Sequence, residues 1–177
     1  LTHDRVTSGQ LSTHKGLDWE IDTLTITSDS YINVTGKGRD ATGVTGDYGG
    51  SYGGRGGFGG NGGATNNEYG DYLQPIDFGT GGADGGTTVT YGGGAVKLVV
   101  NTLVLDGVIS SNGESTNSSD DSGASGGSVW LDIGTLSGSG RIETNGGNGQ
   151  AAQSTGGGGG GRVAVYYDSL SGFDLNN

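Results

Sequence analysis

Gly94-Ala95-Val96-Lys97-Leu98-Val99-Val100-Asn101-Thr102-Leu103 is followed by Val108-Ile109-Ser110-Ser111-Asn112-Gly113. The pattern returns as Gly127-Ser128-Val129-Trp130-Leu131-Asp132-Ile133-Gly134-Thr135-Leu136, then Arg141-Ile142-Glu143-Thr144-Asn145-Gly146. Val96 and Val129, Leu98 and Leu131, Leu103 and Leu136, Ile109 and Ile142, and Gly113 and Gly146 are each 33 apart. A third copy opens at Gly161 with Arg162-Val163-Ala164-Val165-Tyr166-Tyr167-Asp168-Ser169-Leu170; Val163, Val165 and Leu170 follow Val129, Leu131 and Leu136 by 34. An earlier copy is read in Trp19-Glu20-Ile21-Asp22-Thr23-Leu24-Thr25-Ile26 and Tyr31-Ile32-Asn33-Val34-Thr35-Gly36, with Leu24 lying 79 before Leu103.

Within each copy the apolar residues alternate, the period of a half-buried strand. Val129, Leu131 and Ile133 point one way, Trp130 and Asp132 the other. No 3.6-residue period competes. Asp106-Gly107, Asn112-Gly113 and Ser137-Gly138-Ser139-Gly140 have the chemistry of tight corners. Stacking the copies would pair each strand in parallel with its counterpart and bury a narrow apolar column. The expected fold is therefore all-β: a short right-handed parallel β-helix (a β-solenoid) carrying a glycine-rich insertion. The chain reads as one domain over residues 1–177, with a first coil at 17–36, the insertion at 37–93 and later coils at 94–177. A β-sandwich is the alternative, but it favours antiparallel hairpins with two-residue turns.

Composition agrees with a thin core. Glycine supplies 43 of 177 residues, hydrophobic residues make up 29%, and there is one proline. From Gly53 the chain reads Gly-Gly-Arg55-Gly-Gly-Phe58-Gly-Gly-Asn61-Gly-Gly-Ala64. A side chain at every third position matches the three residues per turn of a polyproline-II-type helix, so an ordered polyglycine-II segment is one reading and a flexible loop the other. In the ordered reading residues 156–161 are the neighbour. Tyr48, Tyr52, Tyr69, Tyr72 and Tyr91 could anchor the insertion.

Nineteen acidic against eight basic residues give a net charge of −11. Nucleic acid is a poor partner for such a chain, since phosphate binding rests on Lys and Arg. There is no cysteine for disulfides or thiolate metal sites. No apolar run approaches the ~20 residues of a membrane span. The chain begins at Leu1 and holds no Met, which reads as a mature product or an excised piece.

Asp40, Asp47, Asp77, Asp84, Asp120 and Asp121 offer oxygen ligands on loops, so Ca²⁺ is the one cofactor with a candidate donor set, although neither an EF-hand nor a β-roll nonapeptide is present. The glycine runs lead into strands rather than helices and lack Gly-Lys-Ser/Thr, which argues against a nucleotide. His3 and His14 lie outside the repeats and read as surface residues of a frayed N-terminal segment. Glu20, Asp22 and Asp132 form no obvious acid–base pair, and the chain is expected to be non-catalytic. Outward positions would stack as Lys97, Trp130 and Ala164, and as Val99, Asp132 and Tyr166. Trp130, Tyr166, Asp132 and Lys97 are therefore the candidate ligand-binding residues, with aromatic rings suited to sugar faces and polar groups beside them. Asn33-Val34-Thr35 and Asn117-Ser118-Ser119 are glycosylation sequons.

Gly126-Gly127-Ser128-Val129-Trp130-Leu131, Thr135-Leu136-Ser137-Gly138-Ser139-Gly140, Ile142 and Asn145-Gly146-Gly147 make a pattern that resembles glycine-rich repeats of very large secreted or cell-surface proteins, mostly bacterial and adhesin-like. Residues 156–161 leading into Arg162-Val163-Ala164-Val165-Tyr166 resemble them too. The resemblance is good over residues 93–177, weak over 17–36, and compositional in between. The Gly-Gly-X tract also resembles polyglycine-II segments of some phage adhesins. What this implies is extracellular or cell-surface exposure and a structural role in a filament or adhesin, with other copies or adjacent modules of the same protein as partners. Glycans would be the partner of the alternative, a carbohydrate-binding module. No catalytic residue is carried over.

Overall fold

The computed structural model describes residues 1–6, 15–41, 47–60, 65–83, 89–116, 121–150 and 155–175. Of the residues singled out above, His14, Asn61, Ala64, Asp84, Asp120 and the Asn117 sequon lie outside these. The alternating segments form strands β1 (Leu17–Ile26), β2 (Tyr31–Asn33), β3 (Ala95–Leu105), β4 (Val108–Ser110), β5 (Ser128–Ser137), β6 (Arg141–Glu143) and β7 (Arg162–Ser171). The long strands make one parallel sheet in the order β1-β3-β5-β7, and the short ones a second in the order β2-β4-β6.

The 33-residue interval is the pairing register between β3 and β5. Val96 faces Val129, Leu98 faces Leu131 and Leu103 faces Leu136. Leu24 faces Leu103 on one side, and Leu136 faces Leu170 on the other. The same interval recurs in polar ladders. The amide of Ser139 donates to Asp106 Oδ1 (3.0 Å), that of Asn145 to Asn112 Oδ1 (2.7 Å) and that of Asn148 to Ser115 Oγ (2.9 Å). Between the sheets, Leu98, Leu103, Leu105, Ile109, Leu131 and Leu136 are completely buried. Each such side chain contributes about 1.5–3 kcal/mol by leaving water. Gly138 turns β5 toward β6 at φ +110°, where a Cβ would lie 2.2 Å from the Leu105 carbonyl oxygen.

The right-handed β-helix expected from the repeat is not what forms. The described residues hold two parallel sheets, of four and three strands, that stay open at their edges. Among the described residues no third sheet closes a coil and no short strand follows β7. The reason lies in the glycines. On the side a closed coil would need, the chain has too few side chains to make a strand face, and its amides go to several neighbours in turn.

Residues 121–127 illustrate this and are buried throughout. The amides of Ser122 and Ser125 donate to the carbonyls of Ala83 and Thr80 (3.1 and 2.9 Å). Those of Gly123 and Gly126 donate to Gly156 and Gly159 (2.9 and 3.0 Å), and those of Ala124 and Gly127 to Glu114 and Ser111 (3.0 and 2.8 Å). Every third residue thus serves the same neighbour, as three residues per turn require. Three further segments donate back, through Gly50 to Gly123, Gly147 to Ala124 and Gly93 to Ser125. Buried main chain must be hydrogen-bonded, and six surrounding segments achieve that without a β ladder.

The described residues between 37 and 93 pack into this bundle instead of hanging from it. Gly57 donates to Gly157 (2.7 Å), Gly54 to Gly160 (2.9 Å) and Gly159 to Gly50 (2.9 Å). Tyr48 and Tyr52 are buried beneath it, whereas Tyr72 is exposed. The guanidinium of Arg5 lies 3.7 Å from the Tyr91 ring centre. Residues 1–6 are not frayed either. Leu1 exchanges backbone hydrogen bonds with Tyr31 and Asn33 along the edge of β2, Val6 is fully buried, and His3 meets Phe78 edge-on at 6.0 Å.

Candidate functional site: a cavity beside Trp130

The outer face of the long sheet carries the rows expected from the spacing. Asp18, Lys97, Trp130 and Ala164 share one row, and Glu20, Val99, Asp132 and Tyr166 the next but one along the strands. Alternation turns these side chains away from the core. Lys97 Nζ binds Asp18 Oδ1 at 3.0 Å and stands 5.2 Å from the Trp130 ring centre. Carboxylate and indole together fix the ammonium from two sides.

A cavity of about 470 Å³ opens here, in the usual size range of ligand pockets. Its polar wall includes Lys15, Asp18, Lys97, Arg39 and Asp77, with Trp130 at one side. Phe78 and Val96, both buried, supply apolar lining. Arg39 and residues 74–78 belong to the stretch read from sequence as an insertion, so most of the far wall was invisible in the repeat.

Three hydrogen bonds hold that far wall in place. Tyr166 Oη donates to the Leu73 carbonyl (2.9 Å), Ser128 Oγ to that of Asp77 (2.8 Å), and Tyr69 Oη to that of Phe78. Burial pushes the Tyr69 hydroxyl up from its ordinary pKa, so it stays a donor. Burial raises Tyr52 as well, with the Asp77 carboxylate adding to the effect. The guanidinium of Arg39 stacks on the Tyr69 ring, 5.3 Å from its centre.

The four residues singled out from sequence therefore separate into two pairs. Trp130 and Lys97 line the cavity; Asp132 and Tyr166 do not. Tyr166 serves as an anchor for the chain over the cavity. Glu20 and Asp132 stand on one row two strands apart, about 9.6 Å by strand spacing, with Val99 between them. Among the described residues no group of three or more His, Asp or Glu gathers as a metal site.

Two buried N–H groups at this site make no hydrogen bond, Trp130 Nε1 and Arg39 Nε. A donor left unpaired in a folded interior costs about 1–3 kcal/mol. The only signal for Arg39 in the sequence is its being one of few cations in an acidic chain. No family model matches the chain, and neither a curated protein nor a solved structure shows significant similarity to it.

Proposed function

We propose that the chain is a non-catalytic structural module of an extracellular filament or large cell-surface adhesin, joined to like modules through its sheet edges. The observation that supports this is the end of the stack at β7. Val129, Leu131, Ile133 and Leu136 are at most 2% exposed, because a paired strand on each side covers them. Three of their four register partners on β7, Val163, Tyr167 and Leu170, are 39–44% exposed, while Val165 is partly buried. The apolar column is only partly covered at this end, by Val165 and Phe173, and the outer edge of β7 has no paired strand among the described residues. Such an edge accepts another strand, and the strand that fits has this repeat's own alternation.

Sedimentation velocity over a concentration series tests the reading. Self-association is expected, and Tyr167→Lys with Leu170→Lys should abolish it while leaving the circular dichroism spectrum intact. A monomer at every concentration would overturn it.

A second reading, carbohydrate binding at the outer face, draws on the cavity beside Trp130. A partly buried indole next to fixed polar groups suits a sugar ring. Binding on a glycan array that vanishes in Trp130→Ala is the expected result, and equal binding by that variant removes the site.

A further inference from the structure

We infer that the cavity beside Trp130 takes an anionic sugar, a hexuronate unit of an acidic polysaccharide, with the ring against the indole and the carboxylate on Arg39 and Lys15. The inference rests on the carbohydrate-binding reading and adds the charge of the ligand.

Charge placement is the first argument. The chain is strongly acidic at −11, yet three of its eight Lys and Arg residues (Lys15, Arg39 and Lys97) line this one cavity. Lys97 is committed to Asp18 at 3.0 Å. Elsewhere, Arg5, Arg55 and Arg141 are each paired with a glutamate. Arg39 has no such carboxylate among the described residues and rests instead on the Tyr69 ring. Among the described lining residues Asp77 is the one carboxylate outside the Lys97–Asp18 pair, so Lys15 and Arg39 together leave the cavity with a net positive charge. Asp77 would accept from sugar hydroxyls.

Lining chemistry is the second argument. Arg39 and Trp130 both line the cavity, with atoms other than the sealed Arg39 Nε and Trp130 Nε1. A guanidinium pairs well with a planar carboxylate, and an indole face packs on a sugar ring. The third argument is rigidity. Ser128, Tyr69 and Tyr166 pin the wall at Asp77, Phe78 and Leu73, so little ordering cost falls on the ligand.

The test compares short oligogalacturonate, oligomannuronate and hyaluronan fragments with their carboxyl-methyl-ester forms, by calorimetry and by Trp fluorescence. At least one charged oligomer is expected to bind about tenfold more tightly than its ester, the value of a charge-assisted hydrogen bond. Arg39→Gln and, separately, the surface change Lys15→Gln should each reduce that preference, with thermal unfolding confirming that both variants fold. Equal affinity for acid and ester would overturn the charge assignment while leaving sugar binding standing. Failure of every oligomer, charged or neutral, would overturn both. Undiminished preference in both variants would move the site away from this cavity.

Discussion

The strand half and the glycine half of this molecule solve one problem with opposite means. Around β3 and β5 the chain is bulky and alternating. Leu98 and Leu131 fill the space between the sheets, and burial of apolar surface holds them there. Around residues 121–127 almost nothing but main chain is present, and neighbouring backbones approach until their amides and carbonyls meet in several directions. One half tolerates no loss of volume and the other no gain. A core atom removed leaves a void, whereas a Cβ added at most of the bundle's glycines lands on a carbonyl oxygen that has nowhere to go.

The largest expected effect tests the first half of that contrast. Leu131→Ala should destabilise the protein by about 2–5 kcal/mol in urea denaturation; a cost below about 1 kcal/mol would mean that the sheets do not share a tight core. Gly158→Ala should cost about 3 kcal/mol, since its Cβ would stand 1.9 Å from the Ala124 carbonyl oxygen. A neutral result there would dismantle the bundle as described.

Alkaline pH probes the glycine half through its buried phenols. The folded state holds the Tyr52 proton above the ordinary pKa of 10.0, so above that pH it binds more protons than the unfolded chain and stability falls. The slope from this residue is at most about 1.4 kcal/mol per pH unit. Phenolate absorbance should rise together with unfolding, and Tyr52→Phe should flatten the pH dependence; early titration with no loss of structure would contradict the burial. The smallest effect is the sharpest control. Gly160→Ala, two residues from Gly158, meets no atom within 4 Å and should stay within about 0.5 kcal/mol of the parent. Equal damage at both positions would show that glycine matters there for flexibility, not for close approach.

Particular residues show where the sequence could be read and where it could not. Leu103, Leu136 and Leu170 announced their own partners, because strand pairing in register turns a repeat interval directly into a contact. Trp130 and Lys97 came out as neighbours for the same reason. Arg39, Asp77 and Phe78 gave no comparable sign. They reach the cavity from a stretch with no counterpart in the other copies, through bonds such as Ser128 to Asp77 that span 51 residues. The absence of a closing third sheet was equally hidden, since a glycine amide carries no side-chain pattern to say which neighbour it will serve.

By itself the sequence determined which residues alternate, which copies match and at what interval, and so which strands lie side by side. These are short-range or periodic properties, written in side chains. Only the tertiary structure decided that the sheets remain open, that six segments surround residues 121–127, and that a cationic cavity forms beside Trp130. Those outcomes depend on where bare backbone finds hydrogen-bond partners, and the peptide group is the same at every position.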